Sequence, residues 1–364
     1  MLLIYYFIVL NIITLLLYGL DKWKAKKDKR RISEKTLIFL AVIGGAFGAG
    51  IGMLVFRHKI RKKKFYITIP VFVVLEILFI VFCLYQNLHI VVTRYDYTSE
   101  YVTEEMEGYK ILQVSDLHNQ FFWFDEKWLI DKMAEEKPDV IFVTGDVVDR
   151  NHTNYNQALA FFKGAVKIAP VYYISGNHEK VLAKDDKERL KKFIQDIKAL
   201  GVHYLKDKVV EVDGYILVGI SDANRAQPFE AIKNRSKKGA KKVYAHGDKL
   251  VICLEHEPKY YNKFYEVNAD LAFTGHVHGG QIIIPGKGGL FSPEFEFFPE
   301  LYEGAHTFTY SSKTLTDESE EDGEKYREEE RELTMIISRG LGNSLLPLRI
   351  NNYPELVVVT LHGN

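Results

Sequence analysis

The chain of 364 residues is long enough for two or three domains of ordinary size. With 47% hydrophobic and 26% charged residues it is neither disordered nor collagen-like in composition, so it should bury real cores. Its 48 Lys and Arg residues balance 48 Asp and Glu residues, which argues against a uniformly basic nucleic-acid-binding protein.

The charge is divided between two unlike parts. Residues 1–92 carry a net charge of +10 and residues 93–364 a net charge of −10. We therefore predict a membrane domain over 1–92, an acidic linker over 93–108 and a soluble domain over 109–364. Cys83 and Cys253 fall in separate apolar runs, so no disulfide framework is expected.

Three apolar stretches occupy residues 1–20, 37–56 and 66–85. Each is close to the roughly 20 residues that a membrane-spanning helix needs, so a multi-pass protein of the cell membrane is predicted. A cleaved signal peptide has basic residues before its apolar run, whereas here Lys22 and Lys24 follow it. We expect the first segment to be retained.

The orientation in the membrane depends on the glycine-rich stretch 44–52. Both connecting loops, 21–36 and 57–65, are basic, and the positive-inside rule places both in the cytoplasm. A broken, re-entrant second segment satisfies that rule and puts residues 93–364 outside the cell. The alternative is that the glycines form a helix-packing face in an ordinary span, which leaves the soluble domain in the cytoplasm. In either case the basic loops could contact anionic lipid.

The N-terminal part resembles a small bacterial membrane domain of unknown function. The resemblance lies in the stretches 18–22, 31–35, 43–45 and 56–59 and implies no activity. Glu76 lies inside the third apolar segment. It is either a functional intramembrane carboxylate or a structural group whose charge is satisfied by neighbouring helices.

The second part alternates strand-like apolar runs with helical periods, which is an α/β pattern. Helices are predicted over 124–136, 155–167 and 181–200, and strands over 110–114, 140–144, 171–175, 216–220, 250–255 and 271–274. Later strands at 281–284, 306–310, 333–338 and 356–361 follow one another without such helices. A second sheet packed on the first is therefore expected. The acidic run near 311–332 is predicted to be a solvated loop, with a cation or partner site as the alternative.

Polar residues follow five of these strands in succession. In open α/β sheets ligands bind at the carboxyl ends of the strands, and these ends supply only oxygen and imidazole ligands, which suit Mn, Fe, Zn or similar divalent ions. Two such ions that share Asp146 and a hydroxide could clamp the attacking and leaving oxygens at phosphorus. The residues thus point to phosphoester hydrolysis, and the candidates are Asp116, His118, Asp146, Asp149, Asn177, His178, His256, His276 and His278.

In their order and spacing these residues resemble the calcineurin-like metallophosphoesterases, particularly bacterial membrane-associated or exported members. The resemblance implies a four-layer α/β/β/α sandwich after the helical membrane domain. It implies that His178 acts on the substrate and that Asp149 orients a neighbouring loop or histidine. It also implies two divalent metal ions, the first held by Asp116, His118, Asp146 and His278, and the second by Asp146, Asn177, His256 and His276. His256 is preferred to His246 as a ligand because it ends a predicted strand.

The expected substrate contains a phosphodiester, phosphomonoester or pyrophosphate bond. Four consecutive aromatic residues, 121–124, either bind a lipid tail of the substrate or the bilayer, or cover the core. Nucleic acid is not expected as a partner, since the soluble part is acidic. The alternative function is a metal-binding membrane sensor or regulatory protein with little turnover.

Overall fold

The computed structural model describes residues 2–221, 249–315, 326–343 and 348–364. It divides into two compact units. The first centres on Met1–Asn87, and the second holds nearly all the described residues from Leu88 onward. The two units are described separately.

The first unit consists of helices α1 (Leu2–Lys26), α2 (Glu34–Leu40), α3 (Ala46–Val55) and α4 (Lys63–Leu88). A π-helical turn at Ala41–Gly45 joins α2 to α3. Three stretches of this unit are long and apolar enough to cross a membrane, namely Tyr5–Lys26, Glu34–Val55 and Lys63–Leu88.

The second stretch is broken at Gly44, whose φ of 111° is outside the helical range. The break exposes the backbone N–H groups at the start of α3, and side chains from other helices accept hydrogen bonds from them. The carboxylate of Glu76 accepts from Ala46 N–H at 3.2 Å, and Asn11 Oδ1 accepts from Gly48 N–H at 2.6 Å. Of the two interpretations of Glu76, these contacts favour the structural one.

The second unit contains two six-stranded sheets. The first sheet has the order β1-β14-β2-β3-β4-β5, and β2, β3, β4 and β5 run parallel. Its strands are β1 (Val91–Thr98), β2 (Lys110–Val114), β3 (Val140–Val143), β4 (Val171–Tyr173), β5 (His203–Tyr204) and β14 (Glu355–His362). The second sheet has the order β12-β13-β9-β8-β7-β6. Its strands are β6 (Lys208–Val212), β7 (Tyr215–Gly219), β8 (Val251–Leu254), β9 (Leu271–Thr274), β12 (Gly304–Leu315) and β13 (Tyr326–Ile337), while β10 (Ile283–Ile284) and β11 (Gly288–Gly289) form a separate small hairpin.

An apolar core lies between the two sheets, where Phe142 of β3 packs edge-on against Phe273 of β9. Helices α5 (Lys127–Glu135), α6 (Tyr155–Ala165), α7 (Asn177–Asp185) and α8 (Lys187–Ala199) contribute to a second core on the outer face of the first sheet. Short helical turns over 258–267 cover the outer face of the second sheet. This is the layered α/β/β/α arrangement of the metallophosphoesterase fold that the sequence predicts.

Three local predictions are wrong. The segment 93–108 contains most of β1, because the alternating run 91–98 pairs in parallel with β14 along its whole length. The predicted acidic loop 311–332 is strand at both ends, because these ends belong to the paired strands β12 and β13. The middle of the predicted loop, 316–325, lies outside the described residues. The predicted helix 181–200 is two helices, because the backbone at Asp186 leaves the helical region at φ −139°.

Candidate metal centre

The predicted ligands meet at one edge of the sandwich. β2, β3 and β4 are parallel in the first sheet and β8 and β9 in the second. The loops that follow these strands therefore converge. All seven predicted ligands belong to these loops or to the start of α7, and six of them are buried, while Asn177 is half-buried.

Glycine allows the loops to approach this closely. A Cβ atom on Gly275 would lie 1.9 Å from Ser115 Oγ, so only glycine fits between the ends of β9 and β2. Several candidate ligands adopt a left-handed backbone themselves, with φ of 51° at Asp116 and Asp146 and 70° at His276. Such strained conformations at non-glycine residues are concentrated at functional sites.

Two groups of side chains lie side by side. The first cluster consists of Asp116, His118 and His278, with His118 Nε2 3.1 Å from His278 Nε2 and Asp116 Oδ1 3.5 Å from His278 Nε2. The second cluster is defined as Asn177, His256 and His276. In it the amide oxygen of Asn177 lies 3.0 Å from His256 Nε2 and 2.9 Å from His276 Nδ1.

Asp146 lies between the clusters. Its Oδ2 atom is 3.1 Å from His256 Nε2 and 3.7 Å from His118 Nε2. Its carboxylate is close enough to share an ion with His256 and His276 on one side, and with His118 and His178 on the other. A carboxylate within reach of both clusters is what a ligand shared by two ions requires.

The donor set fits divalent cations. Buried carboxylates face His256 at distances of 3.1 to 3.8 Å, and none of the clustered ligands is a thiolate. Burial alone would lower the pKa of His118, but Asp116 and Asp149 raise it to about 9. The field of the carboxylates thus attracts positive charge to this point, which is the property a cation site needs.

The imidazole rings are oriented by partners on their far sides. His256 Nδ1 lies 2.8 Å from the carbonyl oxygen of Thr144, so Nδ1 carries the proton and Nε2 faces the cluster. His276 is turned the other way, with Nε2 2.9 Å from Glu294 Oε1 and Nδ1 directed at Asn177. Hydrogen bonds to carbonyls and carboxylates of this kind orient metal-binding histidines.

Sequence reasoning missed the support for His278. Its Nδ1 atom is 3.2 Å from the carbonyl oxygen of Gly342, and the same oxygen accepts a hydrogen bond of 2.6 Å from the fully buried Arg349. Asn352 adds a hydrogen bond from its amide to the His278 carbonyl oxygen at 2.7 Å. Nothing in the sequence around Arg349 indicates this role.

His178 and Asp149 lie beside the first cluster. The backbone N–H of Arg150 donates to His178 Nδ1 at 3.1 Å, so the ring proton is on Nε2. Burial lowers the pKa of His178 to about 4, which keeps this imidazole neutral. Asp149 Oδ2 is 3.6 Å from His118 Nδ1 and 3.5 Å from His178 Nδ1. The other oxygen, Oδ1, accepts hydrogen bonds from the backbone N–H groups of Asn151 and His152.

Two family matches coincide with the two parts of the chain. The calcineurin-like phosphoesterase family matches residues 109–280, which contain every candidate ligand of the two clusters. The chain carries a calcineurin-like phosphoesterase domain. It is a metallophosphoesterase, and its N-terminal part, over residues 11–65, matches the proteins of unknown function grouped as DUF1294.

Relatives of both parts are known. The uncharacterized metallophosphoesterase YkuE of Bacillus subtilis is 26% identical over 74% of this chain and 84% of its own length. Phosphodiesterase YaeI of Escherichia coli is 25% identical over 70% of this chain and 82% of its own length. The uncharacterized protein YsdA of Bacillus subtilis is 37% identical over 21% of this chain and 84% of its own length.

In the phosphoesterase domain Glu179 holds the loop that presents Asp146. Its carboxylate accepts hydrogen bonds from the backbone N–H groups of Asp146 at 3.0 Å, Val147 at 2.8 Å and Gly176 at 2.9 Å. Burial, followed by the charge of Asp146, raises the pKa of Glu179 to about 7.

The four aromatic rings of the segment 121–124 differ in burial. Phe122 is fully buried and belongs to the core beneath the first sheet. Phe121, Trp123 and Phe124 are exposed, and the ring of Trp123 stacks on exposed Trp128 at 5.2 Å. The core interpretation therefore holds for one ring of the four. His246, the rival to His256, lies outside the described residues.

Proposed function

We propose that the chain is a membrane-anchored phosphoesterase that uses two divalent ions of the Mn, Fe or Zn type. The observation that carries the proposal is the position of Asp146 between two clusters of ligands. The first ion would be held by Asp116, His118, Asp146 and His278, and the second by Asp146, Asn177, His256 and His276. Bound there, such ions activate water and neutralise charge on phosphoryl oxygens.

His178 has the role of stabilising negative charge that develops on the substrate and on the leaving oxygen, through a hydrogen bond donated by Nε2. Its neutral ring keeps the Nε2 proton because Nδ1 accepts from Arg150 N–H. Asp149 positions His118 from behind, through the contact of its Oδ2 atom with His118 Nδ1. Removal of one such hydrogen-bond donor lowers the rate by a factor of about 100 to 1000.

The experiment uses the full chain in detergent, stripped of metal and then supplied with Mn, Fe or Zn. The hydrolysis of bis-p-nitrophenyl phosphate and p-nitrophenyl phosphate is measured beside His178→Asn. We expect metal-dependent turnover, and a His178→Asn protein that lacks the Nε2 donor, binds as much metal and turns over at least about 100-fold more slowly. Turnover that does not depend on metal would contradict the proposal.

The rival function, a metal-binding membrane sensor with little turnover, has its own signature. A sensor would bind two ions per chain without hydrolysing either ester under any of these conditions. The presence of both His178 and a complete donor set beside it supports the enzyme instead. The ratio of the two hydrolysis rates then reports whether diesters or monoesters are preferred.

The membrane placement is also proposed. α1, the broken pair α2 and α3, and α4 would lie in the bilayer, and the break at Gly44 supports a second segment that returns to the side from which it entered. The phosphoesterase domain would then lie outside the cytoplasm. Protease added to intact cells should remove it, and cleavage only after lysis would place it inside.

A lipid-linked substrate is a second element of the proposal, and the exposed rings of Phe121, Trp123 and Phe124, which follow His118 in the chain, support it. Such rings bind acyl chains or the interfacial region of a bilayer. We expect Trp123→Ser to reduce hydrolysis of a long-chain lipid phosphoester while sparing its short-chain analogue. An equal effect on both substrates would remove the lipid from the proposal.

A further inference from the structure

A groove of about 1030 Å³ opens beside the second cluster. Asn177 lines it, and the amide oxygen of the same residue contacts both His256 and His276. The rest of its lining comes mainly from α7 and α8 and includes Tyr204. A molecule with its reacting phosphate at the metal centre can therefore extend directly into this groove.

The groove is strongly cationic although the soluble part of the chain is acidic. The residues that line it include six lysines, Lys180, Lys184, Lys187, Lys191, Lys198 and Lys206, against two glutamates. Both glutamates are already engaged. Glu179 accepts hydrogen bonds from the loop of Asp146, and Glu257 lies 3.4 Å from Lys180 and 2.7 Å from Lys259.

The charge of most of these lysines is not neutralised by a carboxylate in the part of the chain that the structure describes. Within the described residues no ion pair involves Lys184, Lys187, Lys191 or Lys206. The neighbouring cations of α8 are different, since Lys192 pairs with Asp196 at 3.5 Å and Arg189 with Asp186 at 3.3 Å. Uncompensated charge is thus concentrated on the face of α8 that lines the groove.

Apolar side chains lie among the lysines, namely Val181, Leu190, Ile194 and Tyr204. An occupant of matching chemistry has several negative charges separated by carbon atoms. Ammonium groups bind phosphate as mobile point charges and tolerate variable spacing. Single-stranded nucleic acid fits less well, because it also needs aromatic platforms for its bases. Among the described lining residues Tyr204 alone carries an aromatic ring, and Lys198 Nζ lies 5.4 Å from its centroid.

We propose that this groove binds further phosphoryl groups of the substrate, so that the preferred substrate is an oligomeric phosphodiester with phosphates spaced along a flexible carbon chain. The inference rests on the proposed function, because it takes the scissile phosphate to lie at the metal centre. It makes the lysines of α7 and α8 determinants of specificity.

The test uses p-nitrophenyl esters of glycerol phosphate and of its phosphodiester-linked dimer and trimer, with the metal-loaded full chain in detergent. We expect kcat/KM to rise with the number of phosphates. In the double variant Lys187→Gln/Lys191→Gln the ratio of trimer to monomer kcat/KM should fall about five-fold, as loss of two exposed ion contacts of ordinary strength predicts. The control, Lys192→Gln, makes one such Lys→Gln change on the same helix outside the groove and should keep the wild-type ratio.

Binding provides a second readout that does not depend on turnover. Equilibrium dialysis of the glycerol phosphate trimer against metal-stripped protein should give about five-fold weaker binding for the double variant than for Lys192→Gln, with a steep loss of affinity in added salt. Tighter binding of a thymidine trinucleotide than of this trimer would overturn the assigned class of substrate.

The outcomes separate this inference from the function on which it rests. If the monomer ester is hydrolysed in a metal-dependent way but the trimer gains nothing, the groove has no such role and the phosphoesterase activity stands. If none of the esters is hydrolysed with any metal while the trimer still binds through Lys187 and Lys191, the proposed catalysis fails and the anion groove stands.

Discussion

The two ligand clusters differ in their surroundings. In the first cluster the side chains of Asp116, His118 and His278 are almost fully buried. Behind them, Arg349 donates a hydrogen bond to the carbonyl oxygen of Gly342, which contacts His278. In the second cluster His276 is backed by Glu294, whose side chain is 44% exposed, and Asn177 lines the open groove. The first site is sealed by protein, whereas the second faces solvent and the groove. Under the proposed two-ion arrangement, an ion at the second cluster should therefore exchange faster than one at the first.

Asp146→Asn should have the largest effect, because this carboxylate serves both clusters. Loss of its charge weakens both ion sites and removes the ligand between them, so activity should fall at least about 1000-fold. Metal content by mass spectrometry, beside Asp139→Asn as a surface control, checks the cause. An Asp146→Asn protein with two ions and normal turnover would show that the clusters act independently.

His256→Ala tests the second cluster alone. It should cost that cluster's ion and lower activity at least about 100-fold, since a ligand that faces both Asn177 and Asp146 is removed. The first ion should remain, because none of the ligands particular to that site is changed. His246→Ala should retain both ions and full activity. The opposite pattern for the two variants would reassign the ligand.

Arg349→Met tests the sealed side of the first cluster. Removing the guanidinium takes away the support of Gly342 and loosens His278, so affinity for the first ion should fall about 10- to 100-fold. Competition with a metal chelator measures this. Arg339→Met is the control, since that guanidinium pairs with Glu355 and not with Gly342. Equal losses in both variants would indicate general damage to the loop.

Glu294→Ala should have the smallest effect, since this partner of His276 lies at the exposed side. We expect about a ten-fold loss in affinity for the second ion and none for the first. Glu296→Ala on the same loop should change neither affinity. If Glu294→Ala weakens the first ion as strongly as the second, the two sites are more closely coupled than their surroundings suggest.

The clustering of the candidate ligands could be predicted from the sequence because of a general property of parallel sheets. Asp116, Asp146 and His256 each follow a short run of buried apolar residues, and parallel strands bring such ends to one edge. The order of strands within the sheets was not needed for this. The two-sheet fold followed in the same way from strands that succeed one another without helices.

The supporting residues could not be predicted because they act through tertiary contacts. Arg349 reaches His278 through a carbonyl group, and Glu294 reaches His276 from a distant loop, so neither has a local pattern. β1 was not predicted because the acidic residues at 100–107 favoured a solvated linker. The preceding run, Val91–Thr98, nevertheless alternates between more and less buried side chains as a strand does. The cationic groove could not be predicted for two reasons. The soluble part has a net negative charge, and most of its groove-lining lysines lie on two helices that were predicted as one because the break at Asp186 was not foreseen.

The pairing of β1 with β14 has a consequence for how the protein is made. β14 lies between β1 and β2, and Val91 is opposite Glu355, so the two ends of the domain meet in one sheet. Contacts between residues so far apart in the chain form slowly. β1 emerges from the ribosome soon after the N-terminal helices and must wait for β14 to be synthesised. The first sheet is thus completed late, and a chain truncated before β14 leaves β1 and β2 with unpaired edges that invite aggregation.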